Sequence, residues 1–126
     1  MATNRNATLT RKVDPQFLSG LRETFQDRLI TPADAGYDQA RTIFYGGMER
    51  RPAAIIRPAN AAEISRLVTF ARENGLELAI RSGGHSLAGH SLSEGGLVLD
   101  LSGLKFLQID VDRRIAWAET GLTAAE

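Results

Sequence analysis

The chain has 126 residues, enough for one domain with a hydrophobic core and too few for two ordinary domains. Its 15 basic and 15 acidic side chains cancel, so the overall charge gives no reason to expect binding to nucleic acid or to an anionic membrane surface. Cysteine is absent, which excludes disulfides, zinc–thiolate centres and a cysteine nucleophile, and no apolar run approaches the ~18 residues of a membrane span.

The N-terminal part is predicted to form a polar arm followed by an amphipathic helix. Residues 1–12 are polar and lack the apolar stretch of a secretory signal, so we expect a cytoplasmic protein. Asp14 and Pro15 suit the N-cap and the first position of a helix. The apolar residues that follow recur at spacings of three and four: Phe17, Leu18, Leu21, Phe25 and Leu29. Residues 35–44 predict a weak helical turn.

The middle of the chain shows the pattern of a strand, a helix and a second strand. Residues 53–57 form a short apolar run between two prolines, which is typical of a buried strand. Asn60 and Glu63 have the spacing of a capping box, and Gly75 stands where the C-terminal cap of the helix belongs. The run LELAI, residues 76–80, predicts the second strand. Such a βαβ unit predicts two parallel strands joined by a right-handed crossover.

Three further strands are predicted towards the C-terminus. Residues 97–101 form an apolar strand within GLVLDLSGL. The next apolar residues alternate with other residues and predict a hairpin with one buried face: Leu107, Ile109 and Val111, then Ile115 and Trp117. We therefore expect an α/β fold with a small mixed sheet and helices on one side. Residues 123–126 resemble the first turn of another helix, so we expect the chain to be the front part of a longer protein.

The segment RSGGHSLAGHS, residues 81–91, is the most unusual part of the sequence. It follows a predicted parallel strand, which is where open α/β sheets bind their ligands. Consecutive glycines remove the Cβ atoms that would keep a ligand away, and exposed N–H groups in such a turn form a cradle for an anion, usually phosphate. The dinucleotide-binding fingerprint G-x-G-x-x-G and the P-loop motif are both absent. The pattern alone is therefore compatible with a simple tight turn and with an anion-binding loop.

Two histidines, His85 and His90, lie in this segment. Both would be ordinary surface residues if nothing else were known. No metal site is expected, because the two are five positions apart and no carboxylate motif supplies a third ligand. A nucleophile–base pair of His85 with Ser82 or Ser86 lacks an orienting acid nearby. A further use is a covalent tether, since a neutral imidazole nitrogen can attack an activated carbon of a cofactor.

The segment RSGGHSLAGHS resembles a segment of FAD-linked oxidases whose FAD-binding domain is of the p-cresol methylhydroxylase type. This family includes vanillyl-alcohol-oxidase-like and berberine-bridge-enzyme-like proteins. The similarity covers residues 41–126 and includes the Arg-Arg-Pro segment, the helix start ANAAEI and the strand GGLVLDLS. It implies that residues 41–126 are the first subdomain of an FAD-binding domain, whose remainder lies outside this sequence, and that residues 1–40 are an arm and a helix before it.

The resemblance also implies roles for individual residues of the loop. Backbone donors would surround the FAD pyrophosphate along residues 82–86, which are Ser82, Gly83, Gly84, His85 and Ser86. His85 would carry the flavin through its 8α-methyl carbon, as in the covalently flavinylated members. His90 would support the loop or lie near the cofactor. Arg81 and Gly89 would hold the shape of the loop.

The activity implied by the resemblance is hydride transfer from a small organic substrate to flavin N5, with oxygen as the electron acceptor. No catalytic residue is identified, because Tyr37 and Tyr45 match no catalytic position of the family. One alternative is a non-covalent FAD reductase of the cell-wall-precursor type, which shares the fold. Another is a truncated, non-catalytic fragment that acts as a structural or interaction module, with unpaired sheet edges that favour a homodimer.

Overall fold

The computed structural model describes residues 11–126, so the predicted arm lies almost entirely outside the described residues. The helices are α1 (Pro15–Phe25), α2 (Tyr37–Ala40) and α3 (Ala61–Glu73), and a short 3-10 turn, Gln26–Arg28, follows α1. The strands are β1 (Leu29–Ile30), β2 (Ala54–Ile56), β3 (Leu78–Arg81), β4 (Leu97–Asp100), β5 (Leu107–Asp110) and β6 (Ile115–Ala118). In the part of the chain that the structure describes, no helix is long and apolar enough to cross a membrane.

The main sheet has four strands in the order β1, β2, β4, β3. Strand β4 is parallel to both of its neighbours, whereas β1 is antiparallel to β2. The predicted α/β fold with a mixed sheet is therefore confirmed. The two strands of the βαβ unit are parallel, as expected, but β4 lies between them. All four residues of β4 are buried, so the most apolar strand takes a central place where both of its faces are covered.

The core lies on both faces of this sheet. On one face, residues of α1 and α3 pack against alternate residues of the strands; this cluster includes Leu21, Phe25, Leu67, Ala71, Ala54, Ile56, Leu97 and Leu99. On the opposite face the buried cluster is smaller and consists of Ala40, Ile55, Ala79, Leu92 and Val98. The longer helices therefore occupy one side of the sheet, as predicted. Helix α2 and Leu92, which follows the glycine-rich loop (residues 82–91), cover part of the other side.

Helix α3 begins and ends at the residues that its sequence predicts. The Asn60 side chain accepts a hydrogen bond from the Glu63 N–H at 2.9 Å, and Glu63 in turn accepts from the Ala59 N–H at 2.7 Å. Arg28 binds both carboxylate oxygens of Glu63, at 2.6 and 3.1 Å. The helix ends just before Gly75. The capping box thus also joins α3 to the turn that precedes β1.

The hairpin β5–β6 forms a separate two-stranded sheet, and the prediction of one buried face is wrong. The four-residue loop, residues 111–114, pairs Asp110 with Ile115 and Ile109 with Ala116. This register places Leu107 and Ile109 on one face and Ile115 and Trp117 on the other, because paired residues share a face. Ile109 is 63% exposed and Trp117 70% exposed, so neither face packs against the core.

Glu63 gives a prediction for the dependence of stability on pH. Its hydrogen bonds from Arg28 and from the Ala59 N–H lower its pKa from 4.5 to about 2. A carboxyl group whose pKa is lowered by folding stabilises the folded state above its unfolded pKa, and this stabilisation disappears as pH falls through the folded pKa. We expect Glu63→Gln to lower the free energy of unfolding at pH 7 by about 0.5–1 kcal/mol, because the Arg28 side chain is 35% exposed and solvent screens the pair.

The difference between wild type and Glu63→Gln should shrink as pH falls from 4.5 towards 2, the interval between the two pKa values. Urea unfolding at a series of pH values measures this difference. Glu73→Gln, at an exposed position near the end of the same helix, is the matched control and should show little change. A difference that is independent of pH would show that the carboxylate charge of Glu63 is not the stabilising feature.

Candidate functional site

The glycine-rich loop begins directly after β3, at the carboxyl end of the parallel strands, and lines a concavity of about 460 Å³. Its lining also includes a segment close to the C-terminus, residues 120–124, about thirty residues after the loop. The lining residues are Ile80, Ser82, Gly83, Gly84, His85, Ser86, Ser91, Thr120, Leu122, Thr123 and Ala124. This volume lies in the range of ~300–1,000 Å³ that is usual for small-molecule sites.

The backbone of the loop has unused hydrogen-bond donors. Among the residues that the structure describes, none accepts a hydrogen bond from the N–H groups of residues 82–86. Gly84 has a φ of +68°, a left-handed conformation that glycine adopts without strain. Consecutive free N–H groups around such a residue are typical of the backbone cradles that bind anions. The loop therefore has the donors that the phosphates of a nucleotide require.

The second half of the loop is held by its own turn and by Arg50. The Ser86 hydroxyl accepts from the His90 N–H at 3.1 Å, and the Ser86 carbonyl accepts from the Gly89 N–H at 3.1 Å. Arg50 donates to the carbonyl oxygens of Gly89 and Leu92, at 3.0 and 3.2 Å. Because these contacts fix the backbone after Ser86, the free donors lie in a segment that is anchored at its end.

The two histidines have different surroundings. His85 lines the concavity, and its ring packs at a steep angle against Phe44, with ring centroids 4.7 Å apart. His90 is exposed and does not belong to the lining. Its backbone N–H contributes to the turn described above. Of the residues predicted for the site, Arg81, Gly89 and His90 therefore lie beside the concavity and the others line it.

Arg81 is the last residue of β3, and its side chain forms a buried ion pair with Asp100. Its Nη2 lies 2.8 Å from Oδ2 of Asp100, which is its neighbour on β4, and the two side chains are 9% and 2% exposed. Arg57 contacts the same oxygen at 3.2 Å, and the Ser102 N–H donates to the other oxygen at 3.1 Å. Burial alone would raise the pKa of Asp100, but hydrogen bonding from Ser102 and the charge of Arg81 outweigh it and hold this pKa below its ordinary value.

Arg81 also joins the loop to the segment after α2. Its Nη1 donates to the carbonyl oxygen of Ala40 and, at 3.1 Å, to that of Thr42. Two residues further on, the Phe44 N–H donates to the Gly84 carbonyl at 3.1 Å. Both terminal nitrogens of the Arg81 guanidinium therefore donate hydrogen bonds within the protein.

Sequence reasoning missed the residues that contact the loop from elsewhere in the chain. The sequence does indicate a structural role for Asp100, since an acidic residue inside the apolar run GLVLDL needs a buried cation as partner. Nothing in the sequence around Phe44 or Arg50 indicates that these residues contact the loop. Residues 120–124 are mostly turns rather than helix, and they reach the loop because Gly121 packs against the segment after β4. In residues 11–126 no group of three His, Cys, Asp or Glu side chains is arranged to hold a metal ion.

Comparison with known proteins identifies the family of this chain. Residues 52–126 match the model of a family described as the FAD binding domain. The chain belongs to this family. The (R)-6-hydroxynicotine oxidase of Paenarthrobacter nicotinovorans is 38% identical over 87 residues, which are 69% of this chain and 19% of that protein. An uncharacterized FAD-linked oxidoreductase of Bacillus subtilis is 35% identical over 99 residues, 79% of this chain and 22% of that protein.

A solved structure shows the same fold. Wild-type berberine-bridge-enzyme-like protein 1 of Physcomitrella patens has a TM-score of 0.70 and 27% identity, over 79% of this chain and 22% of that chain. The prediction of an FAD-binding domain of FAD-linked oxidoreductases is thus confirmed. The chain spans about a fifth of the length of these relatives, 19% and 22% of the two curated ones.

The concavity beside the glycine-rich loop has a close backbone contact at Gly121. A Cβ atom added there would lie 2.5 Å from the carbonyl oxygens of Leu101 and Leu104. Carbonyl oxygens of the main chain cannot move aside as a flexible side chain can. We therefore expect Gly121→Ala to lower the free energy of unfolding by about 1–3 kcal/mol, the usual range for overpacking, and to displace residues 122–124 from the concavity.

Gly103→Ala is the matched control, because a Cβ atom at Gly103 meets no heavy atom within 4 Å. Urea unfolding gives the stability of both variants, and amide chemical shifts of residues 82–86 report on the concavity. Equal stability of the two variants would show that Gly121 is not tightly packed.

Proposed function

We propose that residues 82–86 bind the pyrophosphate of FAD and that the chain is the N-terminal part of an FAD-dependent oxidoreductase. The observation that carries this proposal is the run of free N–H groups after β3, in a chain that belongs to an FAD-binding family. A pyrophosphate group presents several negatively charged oxygens, and backbone N–H groups in a preformed loop bind them without the entropy cost of ordering long side chains. The absence of lysine and arginine from residues 82–91 fits this mode of binding.

The side chains of the loop divide into binding and supporting groups in this proposal. The hydroxyls of Ser82, Ser86 and Ser91 supply additional donors; that of Ser86 accepts from the His90 N–H and keeps its own proton free to donate. Arg81 and Gly89 hold the two ends of the loop. His90 supports the loop through its backbone. Residues 41–126 form the cofactor-binding unit, and residues 1–40 precede it.

We further propose that His85 tethers the flavin. An imidazole nitrogen of His85 bonds to the 8α carbon, one hydrogen leaves each of the two atoms, and the two electrons released reduce the flavin, which dioxygen reoxidises to give hydrogen peroxide. Two observations support His85 rather than His90: it lines the concavity, and it follows directly on the glycines that bind the pyrophosphate in this proposal.

The activity we propose is oxidation of a small organic molecule. FAD supplies hydride acceptance at N5 from a substrate C–H bond, with return of the electrons to oxygen. Support comes from the relatives, one of which is named as a 6-hydroxynicotine oxidase and another as an FAD-linked oxidoreductase. This chain contributes cofactor binding; the groups that bind substrate and accept its proton belong to the part of the relatives that the chain does not span.

The exposed hairpin favours a second candidate function. Ile109 and Trp117 lie on opposite faces of a two-stranded sheet with unpaired edges, which is typical of a surface that associates. In this alternative the chain alone is a structural or interaction module that forms a homodimer and retains no FAD. A related alternative within the same fold is a reductase that binds FAD without a covalent bond.

A titration with inorganic pyrophosphate tests the loop without the rest of the FAD site. We expect the amide resonances of residues 82–86 to shift as pyrophosphate is added, because their N–H groups are free to donate. The loop of residues 111–114 contains Arg113 and Arg114 and is the control for attraction by charge alone. Shifts no larger at residues 82–86 than at this control loop would contradict the proposal. Gly84→Ala should weaken the response, since its φ of +68° is strained for alanine.

The mass of the denatured protein, measured together with its visible spectrum after incubation with FAD, tests the tether. We expect a mass increase equal to FAD that is lost in His85→Ala and kept in His90→Ala. A yellow protein that loses its colour on denaturation would instead favour the non-covalent reductase. A colourless protein of unchanged mass that sediments as a dimer would favour the interaction module.

A further inference from the structure

Phe44 contacts both the backbone and the side chain of the glycine-rich loop. Its N–H donates to the Gly84 carbonyl at 3.1 Å. Its ring lies 4.7 Å from the imidazole of His85, centroid to centroid, with an interplanar angle of 68°. The Phe44 side chain is nevertheless 70% exposed, so it contributes little to the core. An exposed aromatic ring that contacts the proposed attachment residue points to a role in the site.

The position of Phe44 is fixed from two directions. Arg81 binds the carbonyl oxygens of Ala40 and Thr42, so the segment that leads to Phe44 is attached to the end of β3. The Tyr45 ring packs edge-on against the Phe44 ring, with centroids 5.1 Å apart and an interplanar angle of 85°. The first restrains the backbone that leads to Phe44 and the second restrains the ring itself, although solvent covers most of it.

His85 needs such support because its own loop gives little. It follows two glycines and is exposed, so nothing in the adjacent sequence restricts its side chain. The structure places its ring against Phe44, with the ring centroids 4.7 Å apart. This contact favours one orientation of the imidazole among its rotamers.

We propose that Phe44 is a positioning residue for His85, which holds the imidazole in the orientation from which a ring nitrogen bonds to the flavin. This inference rests on the proposed tether at His85. Attachment needs the nitrogen and the 8α carbon in near-attack geometry, and a misplacement of about 1 Å can slow such a step about a hundredfold. Phe44 would act through His85 and not on the cofactor itself.

The first experiment uses the cofactor-free chain and diethyl pyrocarbonate, which modifies neutral imidazole nitrogens. The chain has two histidines, so His90 is an internal reference for His85. We expect Phe44→Ala to raise the rate of modification of His85 relative to His90 by several-fold, as the ring is released. Phe44→Tyr should restore the wild-type ratio. Leu87→Ala, at a 73% exposed position of the same loop that lies outside the lining, is the matched control and should leave the ratio unchanged.

The second experiment follows covalent uptake of FAD over time by mass. We expect Phe44→Ala to slow it about tenfold or more while the amount of FAD bound before denaturation stays unchanged, and Phe44→Tyr to restore the rate. General unfolding would instead accelerate modification of both histidines and reduce FAD binding. If the wild type takes up no FAD covalently, the tether is wrong, and the ratio of histidine modification still decides whether Phe44 holds His85. A wild-type ratio or a wild-type uptake rate in Phe44→Ala would overturn the inference.

Discussion

The buried ion pair between Arg81 and Asp100 is the interaction on which the rest of the site depends. The two residues are partners in the register of β3 and β4, and both side chains are almost fully buried. Burial of two charges costs several kcal/mol unless further hydrogen bonds satisfy them. Here Asp100 accepts further hydrogen bonds from Arg57 and from the Ser102 N–H. Arg81 donates further hydrogen bonds to the carbonyl oxygens of Ala40 and Thr42. The pair therefore joins two strands, the beginning of the glycine-rich loop and the segment that contains Phe44.

Anchoring at both ends explains how the loop keeps its donors free. A loop of ten residues, 82–91, would usually use its N–H groups in turns of its own. In this chain Arg81 holds the beginning, while Arg50 binds the carbonyl oxygens of Gly89 and Leu92 near the end. Because Arg50 and the Phe44 N–H hold the loop through the carbonyl oxygens of Gly89 and Gly84, the N–H groups of residues 82–86 stay available. Arginine suits this task, since its several donors bind carbonyl oxygens and leave backbone donors unused.

The fold could be predicted from sequence wherever the signal is local. Asp14, Asn60 and Glu63 form the predicted caps of α1 and α3, and the apolar runs form the predicted strands β2 to β6. The prediction of Leu29 on the first helix is wrong: α1 ends at Phe25, and Leu29 begins β1, where it pairs with Ile56. The place of β4 between β2 and β3 has no local signal, because it depends on pairing between distant segments. The hairpin shows the same limit: the alternation of apolar residues predicts both strands, but the register that relates the two strands depends on the four-residue loop.

The local sequence of the loop cannot distinguish the roles of its two histidines, whereas the family resemblance can. GGHS and AGHS place His85 and His90 in nearly the same local sequence, so residue chemistry alone cannot separate them. Tertiary contacts do: Phe44, some forty residues earlier, meets His85, while Ser86 uses the backbone of His90 to close a turn. A reactive imidazole differs from a structural one in what surrounds it rather than in its neighbours along the chain. The difference between these two histidines is therefore a property of the folded segment from Ala40 to Phe44, which neither motif contains.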